Sequence, residues 1–70
     1  MESLLERAYT GGAIVELFHT SQGYECMLTY LGQARYSTVH ITEAEGRARF
    51  DACCARWMEA AERDKRRASQ

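Results

Sequence analysis

An α+β fold is predicted for this chain, and three observations carry the prediction. Residues 13 to 41 are rich in Ile, Val, Leu, Phe, Thr and Tyr and are broken by turn signals at Ser21-Gln22-Gly23 and Gly32-Gln33, a pattern of antiparallel strands joined by tight hairpins. Thr42 is followed three residues later by Glu45, after which Phe50, Cys54, Trp57, Met58 and Ala61 recur at helical spacing. That is a capping box opening an amphipathic helix. Residues 2 to 9, with Leu4, Leu5 and Ala8 among polar neighbours and Thr10-Gly11-Gly12 behind them, have the composition of a short helix with a glycine stop. The expected order is αβββα: a short N-terminal helix, a three-stranded antiparallel sheet and a long C-terminal helix packed on one sheet face.

Taken in order, residues 1–12 are a short helix and linker, 13–41 a β-meander, 42–66 the long helix and 67–70 a frayed tail. The first helix is too short to stand alone and has to dock on the sheet. The strands are expected at 13–20, 24–31 and 34–41. All of this makes one small domain, 1–70. A chain of 70 residues buries only about 60% of its unfolded surface, which excludes a multi-domain enzyme or a repeat array. Its 46% hydrophobic and 27% charged content excludes disorder. No apolar run approaches the roughly 20 residues of a membrane helix, and neither a signal peptide nor a membrane partner is expected.

Net charge is −1, but it is unevenly spread. Residues 1 to 46 carry six acids and two bases, and residues 47 to 70 carry seven bases and four acids. Arg63, Lys65, Arg66 and Arg67 complement the C-terminal end of the helix dipole, and Glu59, Glu62 and Asp64 are interleaved with them. Affinity for nucleic acid rises with the number of phosphates neutralised, so nucleic acid is the secondary partner reading. The three cysteines, Cys26, Cys53 and Cys54, are odd in number and lack a CxxC spacing. Neighbouring helical residues point about 100° apart, so Cys53 and Cys54 do not suit one tetrahedral metal site. A reducing cytoplasm and a core-filling role are expected.

Hairpin loops at Gln22-Gly23 and Gly32-Gln33 would set Leu17 opposite Leu28, His19 opposite Cys26, Cys26 opposite Val39 and Tyr24 opposite Ile41. One face then carries Val15, Leu17, His19, Tyr24, Cys26, Leu28, Tyr30, Val39 and Ile41 and seats the helix. The other carries Ile14, Phe18, Met27, Leu31, Tyr36 and His40, diluted by Glu16, Glu25, Thr29 and Thr38. A sheet covered on one side normally turns a polar face to water; this second face is half apolar. It is covered either by the N-terminal helix or by another chain. The expected partner-binding set is Glu16, Phe18, Glu25, Met27, Tyr36 and His40.

The residues carry no Ser-His-Asp order, P-loop, GxGxxG or HExxH. His19 and His40 fall on opposite faces in this register. No catalytic, cofactor or metal site is expected, and the chain is read as a non-enzyme.

The αβββα order resembles the double-stranded-RNA-binding domain over most of the chain. That resemblance implies RNA contacts from the first helix, the first hairpin and the start of the last helix. The matching stretches here are Ser21-Gln22-Gly23, without basic residues, and the acidic Thr42-Glu43-Ala44-Glu45-Gly46.

The hairpins Phe18-His19-Thr20-Ser21-Gln22-Gly23-Tyr24 and Leu31-Gly32-Gln33-Ala34, with the capped helix from Thr42, also resemble small phage and mobile-element proteins, including anti-CRISPR inhibitors. This resemblance implies an inhibitor that binds a host protein or ribonucleoprotein complex in the host cytoplasm and obstructs it. Glu2, Glu6, Glu16, Glu25, Glu43 and Glu45 would imitate phosphate against a basic groove. The functional expectation is a protein-binding module, with a homodimer as the other occupant of the free face. The alternative is a small nucleic-acid-binding protein using the basic C-terminal end.

Overall fold

A computed structural model describes residues 2–68. Four strands and a helix follow one another: β1 (Ser3–Thr10), β2 (Ala13–Thr20), β3 (Gly23–Tyr30), β4 (Gln33–His40) and α1 (Glu43–Ala68). The strands form one antiparallel sheet in the order β1-β2-β3-β4. The fold class is α+β, but the expected N-terminal helix does not exist, and the sheet has four strands, not three.

The correction has a local cause. Gly11 and Gly12 both adopt positive φ, 55° and 90°, the two-residue turn whose twist matches a hairpin. Glycines expected to stop a helix therefore turn the chain back on itself, and residues 3–10 pair along β2. An isolated eight-residue helix is marginal in water, whereas a strand there satisfies its backbone along a ready-made edge. The result is a uniform repeat of eight-residue strands and two-residue turns.

Registers also move. β2 and β3 pair His19 with Tyr24, Leu17 with Cys26 and Val15 with Leu28, two residues from expectation. An even shift keeps every side chain on its face. Between β3 and β4 the register slips: Thr29 faces Ala34, and Leu28 faces Tyr36. Arg35 is thus the extra residue of a bulge, which inverts the expected faces beyond it. His40 and Thr38 fall in the rows of Tyr24 and Cys26, while Val39 pairs with Glu25 on the opposite face. The expectation for His40, Thr38 and Val39 is overturned by that one residue.

α1 covers the face built by Ala13, Val15, Leu17, Cys26 and Leu28, and Phe50 and Cys53 complete the buried core. Ala8, Tyr24, Tyr30, Cys54 and Trp57 pack around it. Met58, placed by its spacing on the buried stripe, is 56% exposed. The start of the helix comes close to the sheet because residue 46 is glycine; a Cβ there would lie 2.9 Å from Tyr24 Cβ and 3.2 Å from Leu17 Cδ1. Half of the expected capping box forms: the Glu45 amide donates to Thr42 Oγ1 at 3.2 Å, and among the described residues the Glu45 side chain does not return a bond to the Thr42 amide.

At about 1.5 Å per residue, the 26-residue helix is about 39 Å long. Each eight-residue strand spans about 27 Å. The excess projects past the sheet: after Ala61, the residues Glu62, Arg63, Lys65, Arg66 and Arg67 are all exposed. The helix continues through the expected tail as far as Ala68, and Ser69 and Gln70 lie outside the described residues.

Candidate interaction surfaces

Cross-strand pairing lays out the uncovered face of the sheet in rows. Tyr9, Ile14, Thr29 and Ala34 form the first, Arg7, Glu16, Met27 and Ser37 the second, and Leu4, Phe18, Glu25 and Val39 the third. No element covers them; Tyr9 is 73% exposed, Val39 48% and Leu4 45%. Ile14, Phe18 and Met27 are half-buried among their neighbours in the sheet. The face is an apolar field holding three charges.

Two of those charges cancel. Arg7 donates to Glu16 Oε2 through Nη2 and Nε at 2.7 and 2.9 Å, and the carboxylate holds the Arg7 guanidinium protonated above its ordinary range. Glu25 has no ion-pair partner among the described residues. It is half-buried between Phe18 and Val39, an uncompensated carboxylate in apolar surroundings.

Four of the six expected partner-binding residues, Glu16, Phe18, Glu25 and Met27, share this face. His40 does not. It lies in the helix-side row Ser3, His19, Tyr24, His40, with Nε2 hydrogen-bonded to Thr38 Oγ1 at 2.9 Å. Tyr36 takes the register position opposite Leu28, and its side chain lies outside the described residues. The two histidines therefore share one row, contrary to expectation, with Tyr24 between them. His19 stacks on Tyr24 at 4.5 Å and 7°.

Leu4, Arg7, Tyr9 and Val39 belong to the surface and were not expected there. The Gly-Gly pair at hairpin spacing held the signal for the first three; Val39 follows from the bulge, which leaves no mark in composition.

A second surface lies on the helix side. Tyr30 packs against Trp57 with centroids 5.0 Å apart, and Arg35 Cζ sits 5.9 Å above the Tyr30 ring. Beside them Arg56, Trp57, Glu59, Ala60 and Arg63 line a groove of about 290 Å³. Residues seven apart share a helix flank, and Arg56 and Arg63 are so spaced. The opposite flank meets β1. There Arg47 binds Glu6 at 2.9 Å and Glu43 at 3.0 Å, carboxylates that raise its pKa. Further along that flank, a groove of about 320 Å³ opens beside Met58, Ala61 and Lys65 and reaches the end of β1 at Thr10 and Gly11.

The cysteines sit between these surfaces. Burial pushes the Cys26 thiol up to about 11 and raises Cys54 as well, which removes thiolate character at neutral pH. Among the described residues no three His, Cys, Asp or Glu gather as a metal-holding group, and no helix is long and apolar enough to cross a membrane. Comparison of the chain with protein-family models, curated proteins and solved structures finds no match.

Proposed function

We propose that the protein is a non-catalytic protein-binding module that docks its partner on the uncovered sheet face and acts by occupying it. The observation supporting this reading is the row Leu4, Phe18, Glu25, Val39: apolar side chains around a carboxylate without a counter-ion. Glu25 is half-buried and without an ion pair among the described residues, and a partner cation would pair with it as the interface closes. The partner is therefore an apolar protein surface carrying a Lys or Arg at its centre. At about 27 by 19 Å the face is of the right order for one side of a standard interface, about 800 Å² of accessible surface. The resemblance to mobile-element inhibitors would place that surface on a host effector complex, obstructed without turnover.

The test is capture of nucleic-acid-processing effector complexes from a nuclease-treated bacterial lysate, using the wild-type chain and the Phe18→Asp/Met27→Asp variant. Retention by the wild type and loss by the variant, with the variant's thermal unfolding still cooperative, supports the reading. Equal capture by both, or a wild-type chain that binds nothing and remains a monomer in light scattering, refutes it.

A further inference from the structure

A groove on α1 beside Trp57 combines two features that do not occur together on the docking face. Trp57 lines it and packs on Tyr30, and its arginines are not ion-paired. Arg35, Arg56 and Arg63 form no ion pair with a described residue, and Arg35 lies over Tyr30, which packs on Trp57. Arg56 and Arg63 line the groove with Glu59, and Glu62 lies beside Arg63 with Arg66, so the acids offset part of the positive charge. A surplus of positive charge remains beside half-buried rings. Rings beside cations form the arrangement on which a nucleobase stacks while its phosphates are neutralised.

We propose that this groove binds single-stranded nucleic acid, with a base against the Tyr30–Trp57 pair and the backbone running along Arg35, Arg56 and Arg63. Arg56 and Arg63 are about 10.5 Å apart along the helix axis, which about three stacked nucleotides span at about 3.4 Å each. Duplex is disfavoured twice over. Its bases are already stacked and offer the rings no face, and a long rigid polyanion would meet Glu45 at the start of the helix. The groove lies on the face of the sheet opposite Phe18 and Glu25, so nucleic acid and a protein partner fit the chain together. The inference does not depend on the docking surface.

Trp57 is the only tryptophan in the chain and reports on its own site. The experiment titrates the full chain with a twelve-nucleotide single strand at 50 and 200 mM salt, following Trp57 emission and oligonucleotide anisotropy. Expected are quenching of Trp57 and, for three neutralised phosphates, about a twentyfold loss of affinity across that salt range. Arg56→Ala/Arg63→Ala should weaken binding at least tenfold at unchanged melting temperature. Should that variant melt early, Arg35→Gln, over the Tyr30 ring that packs on Trp57, is read instead, with a several-fold loss expected. Absence of binding at 50 mM overturns the proposal. So does equal affinity for a twelve-base-pair duplex. It is also overturned if Arg66→Ala/Arg67→Ala abolishes binding and the groove variants do not, because charge on the projecting helix end would then explain everything.

Discussion

Nη2 of Arg7 lies 2.7 Å from Oε2 of Glu16, directly across the β1–β2 pair. That contact decides the electrostatics of the docking face. With Glu16 neutralised by its neighbour, the face carries one net negative charge, and the charge sits at Glu25.

The first prediction follows from the position of Glu25 between Phe18 and Val39. Glu25→Val replaces a half-buried carboxylate with a β-branched side chain that packs on both neighbours. Stability is expected to rise by about 0.5–1 kcal/mol, read as a midpoint shift in urea, while partner capture falls. A substitution that stabilises the chain and removes its activity marks a residue retained for function. A drop in stability would mean that Glu25 supports the sheet itself.

The second prediction separates two glycines in one turn. Gly11 and Gly12 share positive φ, so alanine is strained at either position by roughly 1 kcal/mol. A Cβ on Gly11 would also lie 2.5 Å from Ala61 Cβ, whereas the nearest atom to one on Gly12 is Tyr30 Cε2 at 3.7 Å. Gly11→Ala is therefore expected to cost about 1–2 kcal/mol more than Gly12→Ala. In a chain of this size that is a further loss of roughly 4–16 °C in melting temperature. Equal costs would show that the turn does not touch the helix.

That turn also explains what the sequence could and could not disclose. The existence of the β2–β3 hairpin, though not its register, the helix start at Thr42 and the faces of β2 and β3 were legible, because each is written in local alternation or spacing. Residues 3–10 were not, since Leu4, Leu5, Glu6 and Ala8 suit a helix by composition. What overrides their propensity is the free edge of β2, a tertiary feature. The bulge at Arg35 was illegible for a related reason: nothing in Ala34-Arg35-Tyr36 marks which residue is extra. It moved His40 to the helix side and brought Val39 to the docking face. Half of the site was thus readable from β2 and β3, and the rest hung on one turn and one inserted residue.

The third prediction concerns pH. Burial holds the Cys26 thiol neutral up to about 11, and its ordinary value is 9.0. Above pH 9 the unfolded chain gives up a proton that the folded chain keeps, so the unfolded state binds fewer protons and stability falls as pH rises. The stabilisation is complete below pH 9 and lost as pH climbs through 11, an effect of about 2–3 kcal/mol. Urea unfolding at pH 8, 9 and 10 is expected to show a steeper decline for the wild type than for Cys26→Ala, in which the other titrating groups are unchanged. Parallel declines would mean that Cys26 is not protected by the packing of Phe50 and Cys53 against the sheet.

The last prediction uses Leu31, the single non-glycine residue with positive φ among the described residues, at 54°. It precedes Gly32, at 76°, in a two-residue hairpin turn that favours Asn or Gly at its first position. A branched side chain held left-handed costs roughly 1–2 kcal/mol, and at 72% exposure Leu31 recovers little of that by burial. Leu31→Asn is expected to raise the melting temperature by about 4–8 °C, the shift that about 1 kcal/mol produces in a chain of this length. The direction matters more than the size. A gain means that the chain carries an avoidable strain at the end of the sheet where Tyr30 and Trp57 meet, so the same variant is then assayed for oligonucleotide binding. A loss of stability would instead show that Leu31 packs on its own chain in solution, and the strain argument would fail.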